Sequence, residues 1–556
     1  MAFAAMRHAA SAGARGGQSI TMLRAIGANP VTGSAGAAMR LSLPMTSSLY
    51  RPLLASTPCA HSRTFASTSI KFAEGGDQQS NLAKKAQQEE ETKTDAVTNA
   101  SKSADESGKQ KPASSSSPPA YDESEEPPHY DWEEEANFNI AKFKELPYTN
   151  FGVNQHVVID REFKECLRQI PWKFRAPIMY AFAYGSGVFP QSKGTGTATE
   201  AEIRAVHPKA PMAVQKAQNG SPKMIDFIFG VTHTQHWHSL NMMQHRDHYS
   251  GLASLGSGAV SAVQDKWGAG VYFNTYVTVD GILVKYGVVN METLKRDLRE
   301  WDTLYLSGRL HKPVKILRDN PAVRMANQIN LLSALRTALL LLPGSFTERE
   351  LYSTIAGISY LGDPRMAFPT ENPRKVANIV DHNMQNFRAL YAPLIDSLPN
   401  VEFDDPSCKK DNWIWDTKDV LKLRQDMDPV KRGNMVRRLP KAFRSKLYFE
   451  YQKKFQIPQL EFNKMMEESK NDDTTSFKRQ QGGGFEQRIA QDDPEELRKI
   501  VRQVIKKTIN WPSTSQTLKG PFTAGISKTI RYMSEKMAKH KEGKQPPKTG
   551  DKDKKD

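Results

Sequence analysis

The stretch MYAFAYGSGV, at residues 179–188, is an apolar run that ends in Gly-Ser-Gly. This pattern predicts a buried strand whose exit turn leaves backbone N–H groups and a serine hydroxyl able to meet an anion. A second apolar run, KMIDFIFGV at residues 223–231, carries one acid, Asp226. Because a buried strand rarely keeps an unpaired carboxylate, we expect a cation beside Asp226. The two runs together predict a phosphate-binding turn next to a metal ligand.

A glycine-serine turn is weak evidence by itself, since tight turns use both residues for steric reasons. The acid on the later strand strengthens the prediction, because nucleotide phosphates need both hydrogen-bond donors and a carboxylate-held Mg²⁺. We therefore predict that Gly185, Ser186 and Gly187 bind a nucleotide. Asp226 is predicted to be catalytic and to be the ligand of a Mg²⁺ ion.

The chain has 556 residues, too many for one hydrophobic core, and a prior of about 150 residues per domain predicts two or three domains plus tails. Its formal net charge of +16 favours anionic partners such as nucleotides, nucleic acid or acidic lipid surfaces. Residues 1–72 contain no Asp or Glu but recurrent arginines, a composition typical of a mitochondrial transit peptide. The alternative is a disordered basic tail.

Pattern and composition divide the rest of the chain into two folded regions and several polar segments. Strands interleaved with helices predict an α/β domain over residues 136–319, with a flexible surface insertion at 189–222. Helical spacing predicts a second, mainly helical domain over residues 320–468. The remaining predicted segments are a disordered linker (73–135), a flexible linker (469–493), C-terminal helices with a membrane-contacting segment (494–541) and a charged disordered tail (542–556).

The three cysteines, Cys59, Cys166 and Cys408, cannot build a disulfide framework, which suits a reducing compartment. The longest apolar run, residues 329–342, contains Arg336 and falls short of the roughly 20 residues that a bilayer-spanning helix needs. Any membrane attachment is therefore expected to be peripheral.

The clearest β-hairpin spans residues 271–289, and its Asp-Gly pair makes Asp280 a turn residue rather than a metal ligand. Lys285 lies in the second strand of this hairpin, and Arg309 and Lys312 follow in a basic segment. Because charge compensation dominates phosphoryl transfer, we predict that Lys285 and Lys312 are catalytic and that Arg309 binds the nucleotide. The alternative is a solvated basic face, since exposed Lys and Arg are common.

The segment HTQHWH places His233, His236 and His238 close together, with His245 and His248 nearby. Closely spaced histidines can bind zinc, but no cysteine joins them and the ligand spacings of structural zinc sites are missing. Hydrogen bonding or capping at a helix start is the favoured interpretation.

Several motifs resemble those of known families. The order of strand, Gly-Ser and acid-bearing strand resembles the nucleotidyltransferase superfamily. Six longer motifs are YGSGVF (184–189), MIDFIFGV (224–231), WGAGVYFN (267–274), LVKYGVV (283–289), LYLSGRLHKPVKI (304–316) and KGPFTAG (519–525). They are similar to motifs of the mitochondrial translocator assembly and maintenance family, whose members act as phosphatidate cytidylyltransferases, and the resemblance covers about residues 148–537.

The resemblance implies a Mg²⁺-dependent enzyme that makes CDP-diacylglycerol and pyrophosphate from CTP and phosphatidic acid, upstream of cardiolipin. It implies a peripheral enzyme on the matrix side of the mitochondrial inner membrane, in contact with its anionic lipids. The implied fold is a nucleotidyltransferase-like α/β domain (a mixed sheet with flanking helices), then a winged-helix-like helical domain, then a C-terminal amphipathic helix. No nucleic-acid partner is expected, and homo-oligomer formation is left open.

The chain departs from the nucleotidyltransferase pattern at one position. The second carboxylate, two positions after the first, is replaced by Ile228, which leaves Asp226 alone on its strand. One physical account is that the nucleophile, a phosphate monoester with a second pKa of about 6, is already anionic and needs no general base. The source of any second metal-binding carboxylate is left open.

The C-terminal stretch 513–541 has apolar residues at near four-residue spacing beside cationic ones, among them Lys519. This arrangement is typical of a helix that lies in an anionic lipid interface, although amphipathic helices also dock on a protein's own core.

Two other functions compete with the lipid-directed enzyme. One is a matrix RNA nucleotidyltransferase, which shares the strand, Gly-Ser and acid. The other is a non-catalytic inner-membrane factor that supports protein import. The concentration of positive charge in the ends of the chain, and the lack of an evident aromatic stacking platform, argue against RNA.

Overall fold

The computed structural model describes residues 132–135, 138–192, 197–366, 372–409, 413–417, 419–470 and 482–544. All of these residues belong to one compact unit, Ala120–Asp556. The predicted transit peptide (1–72) lies outside the described residues, as do most of the predicted linker (73–135) and most of the charged tail (542–556).

Five strands form a mixed sheet, as the sequence predicts. They are β1 (Tyr180–Tyr184), β2 (Ile225–Val231), β3 (Val271–Val279), β4 (Ile282–Asn290) and β5 (Lys315–Arg318), in the spatial order β3-β4-β2-β1-β5. In this sheet β2 and β4 are parallel, and the other three pairs are antiparallel. A parallel pair needs a long crossover connection, and the helical segment between β2 and β3 supplies most of it.

Side chains of the sheet enter cores on both of its faces. On β2, Phe227 and Phe229 pack on one face, while Ile228 packs on the other face with Phe182 of β1. This alternation is what the period of two along a strand requires.

Helices flank this sheet on both sides. In chain order, the helices before β5 are α1 (Trp132–Glu135), α2 (Arg161–Trp172), α3 (Glu200–Val206), α4 (Met212–Ala217), α5 (Thr234–Gln244), α6 (Ser257–Lys266), α7 (Met291–Glu300) and α8 (Ser307–Leu310). The coarse prediction of a mixed sheet with flanking helices is confirmed.

The segment 189–222 contains α3 and α4, although the sequence predicts a flexible surface insertion there. Thr199 and Glu202 form a capping box at the start of α3. The Val214 side chain of α4 is fully buried in the same core as Ile225. Helices of seven and six residues are too short to display a clear hydrophobic period. Part of this segment therefore belongs to the core rather than to a surface insertion.

The second region is mainly helical, as predicted, and contains a small sheet. Its strands β6 (Ser345–Thr347), β7 (Val401–Phe403) and β8 (Lys422–Gln425) are antiparallel, in the order β6-β8-β7. Its helices are α9 (Pro321–Leu341), α10 (Glu348–Ile358), α11 (Lys375–Asp381), α12 (Met384–Asp396), α13 (Trp413–Asp416), α14 (Pro429–Arg437), α15 (Lys441–Phe455) and α16 (Gln459–Lys470).

A buried ion pair corrects the predicted end of the N-terminal linker. Glu133 falls within the predicted disordered segment 73–135, yet it lies in α1 and is only 2% exposed. Its carboxylate accepts two hydrogen bonds from the guanidinium of Arg336 in α9, one of them over 2.9 Å. A buried arginine needs a paired acid, so the apolar helix α9 holds the end of the linker in place.

The C-terminal part consists of α17 (Gly484–Ala490), α18 (Pro494–Ala524) and α19 (Ile526–Lys544). Helix α17 lies in the predicted flexible linker 469–493, but Ile489 is fully buried, so the linker prediction is wrong for this helix. Gly525 separates α18 from α19 with a φ of +86°, a conformation that favours glycine. None of the helices in the described residues combines the length and the apolar composition that a bilayer span requires.

Candidate active site

A cleft opens where the exit of β1 meets the second region and the C-terminal helices. Its empty space, including the part open to solvent, is about 1110 Å³. The predicted site residues that line it are Gly185, Ser186, Asp226, Lys285, Arg309 and Lys312. Six of the seven predicted residues are therefore brought together, although they come from positions up to 127 residues apart in the chain (185 to 312).

The strand register places Asp226 and Lys285 side by side. Asp226 on β2 lies opposite Lys285 on β4 and opposite Tyr184 on β1. The Lys285 ammonium donates to Oδ1 of Asp226 over 3.0 Å, and the two side chains are 15% and 23% exposed. Burial is the largest single effect and disfavours the ammonium, but the Asp226 carboxylate and the neighbouring tyrosines together outweigh it, so the pKa of Lys285 is raised above its usual value. The sequence predicted a cation beside Asp226, and the Lys285 ammonium is one such cation.

Two glycines shape the turn after β1. Gly185 has a φ of +81°, and a Cβ there would lie 3.2 Å from Oδ2 of Asp226. A Cβ on Gly187 would lie 2.7 Å from the carbonyl oxygen of Met224. Gly185 and Ser186 thus lie at the cleft, whereas Gly187 lets the turn pack closely against β2. The predicted nucleotide contact of Gly187 stays a prediction.

Side chains from the segment 189–222 support the turn after β1 through hydrogen bonds. The Nε2–H of Gln218 donates to the Gly187 carbonyl over 2.7 Å. Nε2 of His207 lies 3.0 Å from Oε1 of Gln218, and Nδ1 of His207 accepts the N–H of Leu283. Because Nδ1 accepts, Nε2 carries the proton and donates to Gln218. Burial lowers the pKa of His207, which favours this neutral imidazole.

A single buried acid organises the loop before Arg309 and Lys312. The carboxylate of Asp297, in α7, accepts hydrogen bonds from four backbone N–H groups and two hydroxyls, all between residues 303 and 307. The donor–acceptor distances lie between 2.7 and 3.1 Å. These bonds satisfy both carboxylate oxygens and fix the loop that presents the two basic side chains. No sequence motif pointed to Asp297.

Four cationic side chains line one side of the cleft: Arg309 and Lys312, with Arg365 and Lys375 from the second region. The Lys312 ammonium donates to two neutral oxygens, a backbone carbonyl and, over 2.8 Å, Oγ of Ser359. Burial, together with the charges of Arg309 and Lys375, holds the pKa of Lys312 well below its usual value. An anion would stabilise this buried ammonium, so this side of the cleft favours an anionic ligand.

Aromatic residues complete the cleft and were not predicted. The guanidinium of Arg309 lies 3.9 Å from the ring centroid of Tyr305. The ring of Tyr532, in α19, lies 5.4 Å from the Lys285 ammonium. Tyr305 is part of the basic segment and could have been found there. Tyr532, Arg365 and Lys375 come from distant segments without a motif, so no local pattern could reveal them.

One carboxylate oxygen at the cleft fits a Mg²⁺ ion. Oδ1 of Asp226 binds Lys285, and no hydrogen bond from another described residue reaches Oδ2, which faces the Gly185 turn. Ile228, on the same face of β2, is fully buried in the core, where a carboxylate would be desolvated. Asp363 also lines the cleft but pairs with Arg365. Because Mg²⁺ commonly binds one or two carboxylates together with substrate phosphates and water, the residues present fit this ion.

The HTQHWH segment supplies a core histidine. His238 is fully buried, and its two ring nitrogens contact the hydroxyl of Tyr249 at 2.8 Å and Oε1 of Gln264 at 2.7 Å. Burial lowers the pKa of His238 to about 4, so the ring is neutral. This arrangement supports the hydrogen-bonding interpretation over zinc.

Within the described residues, potential metal-ligand atoms lie within 4.8 Å of one another in a different group, His245, Asp247 and His248. Burial, His245 and the ammonium of Lys528 lower the pKa of His248 to about 4, despite the nearby Asp247. The surroundings of this group therefore disfavour additional positive charge.

The sequence that builds this cleft matches a family of known proteins. A family model described as "Phosphatidate cytidylyltransferase, mitochondrial" matches residues 167–539, which include the sheet, the cleft and most of α19. A relative of that name from Schizosaccharomyces pombe is 35% identical over 386 residues, 69% of this chain and 86% of the relative. Another from Xenopus laevis is 37% identical over 374 residues, 67% of this chain and 93% of the relative. A third, from Saccharomyces cerevisiae, is 41% identical over 257 residues, 46% of this chain and 60% of the relative. The chain belongs to the family of mitochondrial phosphatidate cytidylyltransferases.

Proposed function

We propose that this chain transfers a cytidylyl group from CTP to phosphatidic acid, giving CDP-diacylglycerol, a precursor of cardiolipin, and pyrophosphate. Family membership supports this reaction. The observation that carries it is the cleft itself, in which the Asp226–Lys285 pair shares one space with Arg309 and Lys312. Both substrates are multiply charged anions at their reacting ends, and such a cleft compensates charge where phosphorus is attacked.

Purified protein incubated with labelled CTP, phosphatidic acid and Mg²⁺ should form labelled lipid and pyrophosphate in equal amounts. Chelation with EDTA should stop the reaction, and excess Mg²⁺ should restore it. Label appearing in added RNA would instead support an RNA nucleotidyltransferase. No product with either acceptor would support a non-catalytic role in protein import.

In the proposed reaction, an oxygen of the phosphatidate phosphate attacks the α-phosphorus of CTP. The bond from that phosphorus to the oxygen bridging to the β-phosphate breaks, and pyrophosphate leaves. The attacking monoester has a second pKa of about 6, so near neutral pH it is already anionic and needs no general base. This explains how the chain can work with Asp226 as the one acid on β2.

The roles of the cleft residues follow from their positions. Gly185 and Ser186 offer backbone N–H groups and a hydroxyl to the triphosphate. Asp226 would hold Mg²⁺, which when bound adds positive charge at the reacting phosphates. Lys285 orients Asp226 and neutralises the triphosphate, while Arg309 and Lys312 neutralise the remaining phosphate charge.

CTP binding should take up protons through Lys312. In the free protein the pKa of Lys312 lies well below its usual value, so the amine loses its proton at a lower pH than an exposed lysine. A bound anion stabilises the ammonium and raises this pKa. Affinity for CTP should therefore be constant below the lowered pKa and fall as pH rises through it.

Calorimetric titration in two buffers of different ionisation enthalpy measures this proton uptake. A Lys312→Arg variant, whose side chain stays charged at every accessible pH, should bind CTP without it. Unchanged proton uptake in that variant would assign the effect to another group.

We propose that the enzyme lies peripherally on the matrix side of the inner membrane and contacts it through α18 and α19. Supporting this, Leu518, Phe522, Ile526 and Ile530 are 62%, 56%, 73% and 64% exposed, although all four are apolar. Such a face suits the interfacial region of a bilayer. Lys519, predicted to belong to the cationic side, is instead fully buried and donates to two backbone carbonyls.

An Ile526→Ser, Ile530→Ser double variant should sediment with acidic phospholipid vesicles at least about tenfold less than wild type, because it removes two apolar contacts. Leu460→Ser is the matched control, since Leu460 is 73% exposed on α16, outside this surface. Equal vesicle binding by the double variant and wild type would rule out this face as the anchor.

We further propose that the second region is winged-helix-like. Its order of helix (α9), strand (β6), helices (α10 to α12) and two strands (β7, β8), with the middle place in the sheet taken by β8, supports this comparison. In this enzyme the region contributes Arg365 and Lys375 to the cleft, so it acts as part of the binding site.

A further inference from the structure

Helix α19 turns its apolar side away from the protein. Ile526, Ile530 and Met533 are 73%, 64% and 42% exposed, and at roughly 100° per residue they lie within about 60° of one another around the helix. Arg531 and Tyr532 fall on the other side by the same count. An ordinary surface helix docks with its apolar side inward, so α19 is held on the protein by polar and aromatic contacts instead.

Contacts on either side of Gly525 fix the position of α19. Before it, the fully buried Lys519 of α18 donates to one carbonyl of α6 and one of β3, both over 3.1 Å. After it, the guanidinium of Arg531 lies 4.6 Å from the ring centroid of Tyr276 on β3. The start of α19 is thereby attached to the same sheet that carries the cleft.

From this inner side, Tyr532 reaches the Asp226–Lys285 pair. Its ring centroid lies 5.4 Å from the Lys285 ammonium, and the ring centroid of Phe273 lies 4.8 Å from the same ammonium. The ammonium therefore contacts one carboxylate and two aromatic rings, an arrangement that restricts where it can move. Tyr532 also lines the cleft.

We propose that Tyr532 is a positioning residue for cytidylyl transfer: its ring holds the Lys285 ammonium against Asp226 and closes the cleft on the side of α19. The inference rests on the proposed reaction and deepens it. Because Tyr532 and the apolar face lie on opposite sides of one helix, α19 both contacts the lipid surface and completes the site. A phosphatidate head group then enters the cleft beside the helix that lies in its own membrane.

The test compares two forms of phosphatidic acid: long-chain lipid in vesicles, and a water-soluble short-chain form below its critical micelle concentration. A Tyr532→Leu variant should show a kcat about tenfold lower than wild type on both forms, since the lost ring acts inside the cleft. KM for the soluble lipid should change less than kcat. Tyr532→Phe, which keeps the ring, should retain wild-type kcat on both.

Phe449→Leu is the matched control, because the exposed Phe449 of α15 has its ring centroid 4.3 Å from the ammonium of Lys453. The Phe449→Leu variant removes an aromatic ring next to a lysine outside the cleft. It should leave the activities on vesicle lipid and on soluble lipid unchanged. If the Tyr532→Leu variant lost activity on vesicle lipid but kept wild-type activity on soluble lipid, the proposal would be overturned. Helix α19 would then serve only to attach the protein to the membrane. A Tyr532→Phe variant as slow as Tyr532→Leu would also overturn it. Wild-type turnover in the same assay tests the underlying reaction separately.

Discussion

An Asp226→Asn enzyme should make CDP-diacylglycerol at least about a thousandfold more slowly than wild type, even at saturating Mg²⁺. The amide keeps the shape that packs beside Gly185 but removes the negative charge that faces Lys285 over 3.0 Å. The same charge is the proposed attachment of the metal ion. Steady-state kcat, and its dependence on Mg²⁺ concentration with CTP in excess, would measure the effect.

Asp280→Asn is the matched control for this loss of a carboxylate. Asp280 lies in the β3–β4 turn with a φ of +53°, a conformation that asparagine accepts readily. Its ion pair with Lys173 joins two side chains that are each 46% exposed, so removing it should change turnover by less than about twofold. Near-normal turnover of Asp226→Asn at saturating Mg²⁺ would show that Asp226 is not the metal anchor.

Lys285→Met should lower kcat/KM for CTP by about two to three orders of magnitude. Methionine keeps much of the apolar stem between β4 and the rings of Phe273 and Tyr532, but it leaves the Asp226 carboxylate facing the triphosphate without its ammonium. Initial rates over a range of CTP concentrations, with phosphatidic acid saturating, would measure the loss.

Lys173→Met provides the comparison, because Lys173 makes a half-exposed ion pair at 3.2 Å outside the cleft. This variant should keep wild-type kcat/KM. If Lys285→Met behaved in the same way, the lysine would have no part in catalysis, and the ion pair with Asp226 would serve only to satisfy a half-buried acid.

The sheet and its acid were predictable because strands that are buried on both faces appear in a sequence as short, continuous apolar runs. β1 and β2 are short, apolar and bounded by turn residues, and an acid in such a strand stands out. The pairing of Asp226 with Lys285 was harder to predict from the sequence, because it depends on a parallel register between two strands that a long crossover separates. Sequence patterns identify strands but do not fix which strands become neighbours.

Other parts of the site could not be predicted, for reasons of distance and helix length. Arg365, Lys375 and Tyr532 reach the cleft through the packing of whole helices, which no local pattern records. The helices α3 and α4 are shorter than two full turns, so their hydrophobic spacing cannot be distinguished from that of a loop. Yet α4 is followed by Gln218, which supports the glycine turn.

The ion pair between Glu133 and Arg336 sets a limit on how much of the N-terminal segment can be removed. Among the described residues, Glu133 is the sole acid within hydrogen-bonding distance of the Arg336 guanidinium, and Arg336 is buried in the C-terminal half of α9. A mature form that began after residue 133 would leave a buried guanidinium without its carboxylate, a loss of about 3–5 kcal/mol. Any proteolytic removal of the leader predicted over residues 1–72 must therefore end before the short helix that holds this acid.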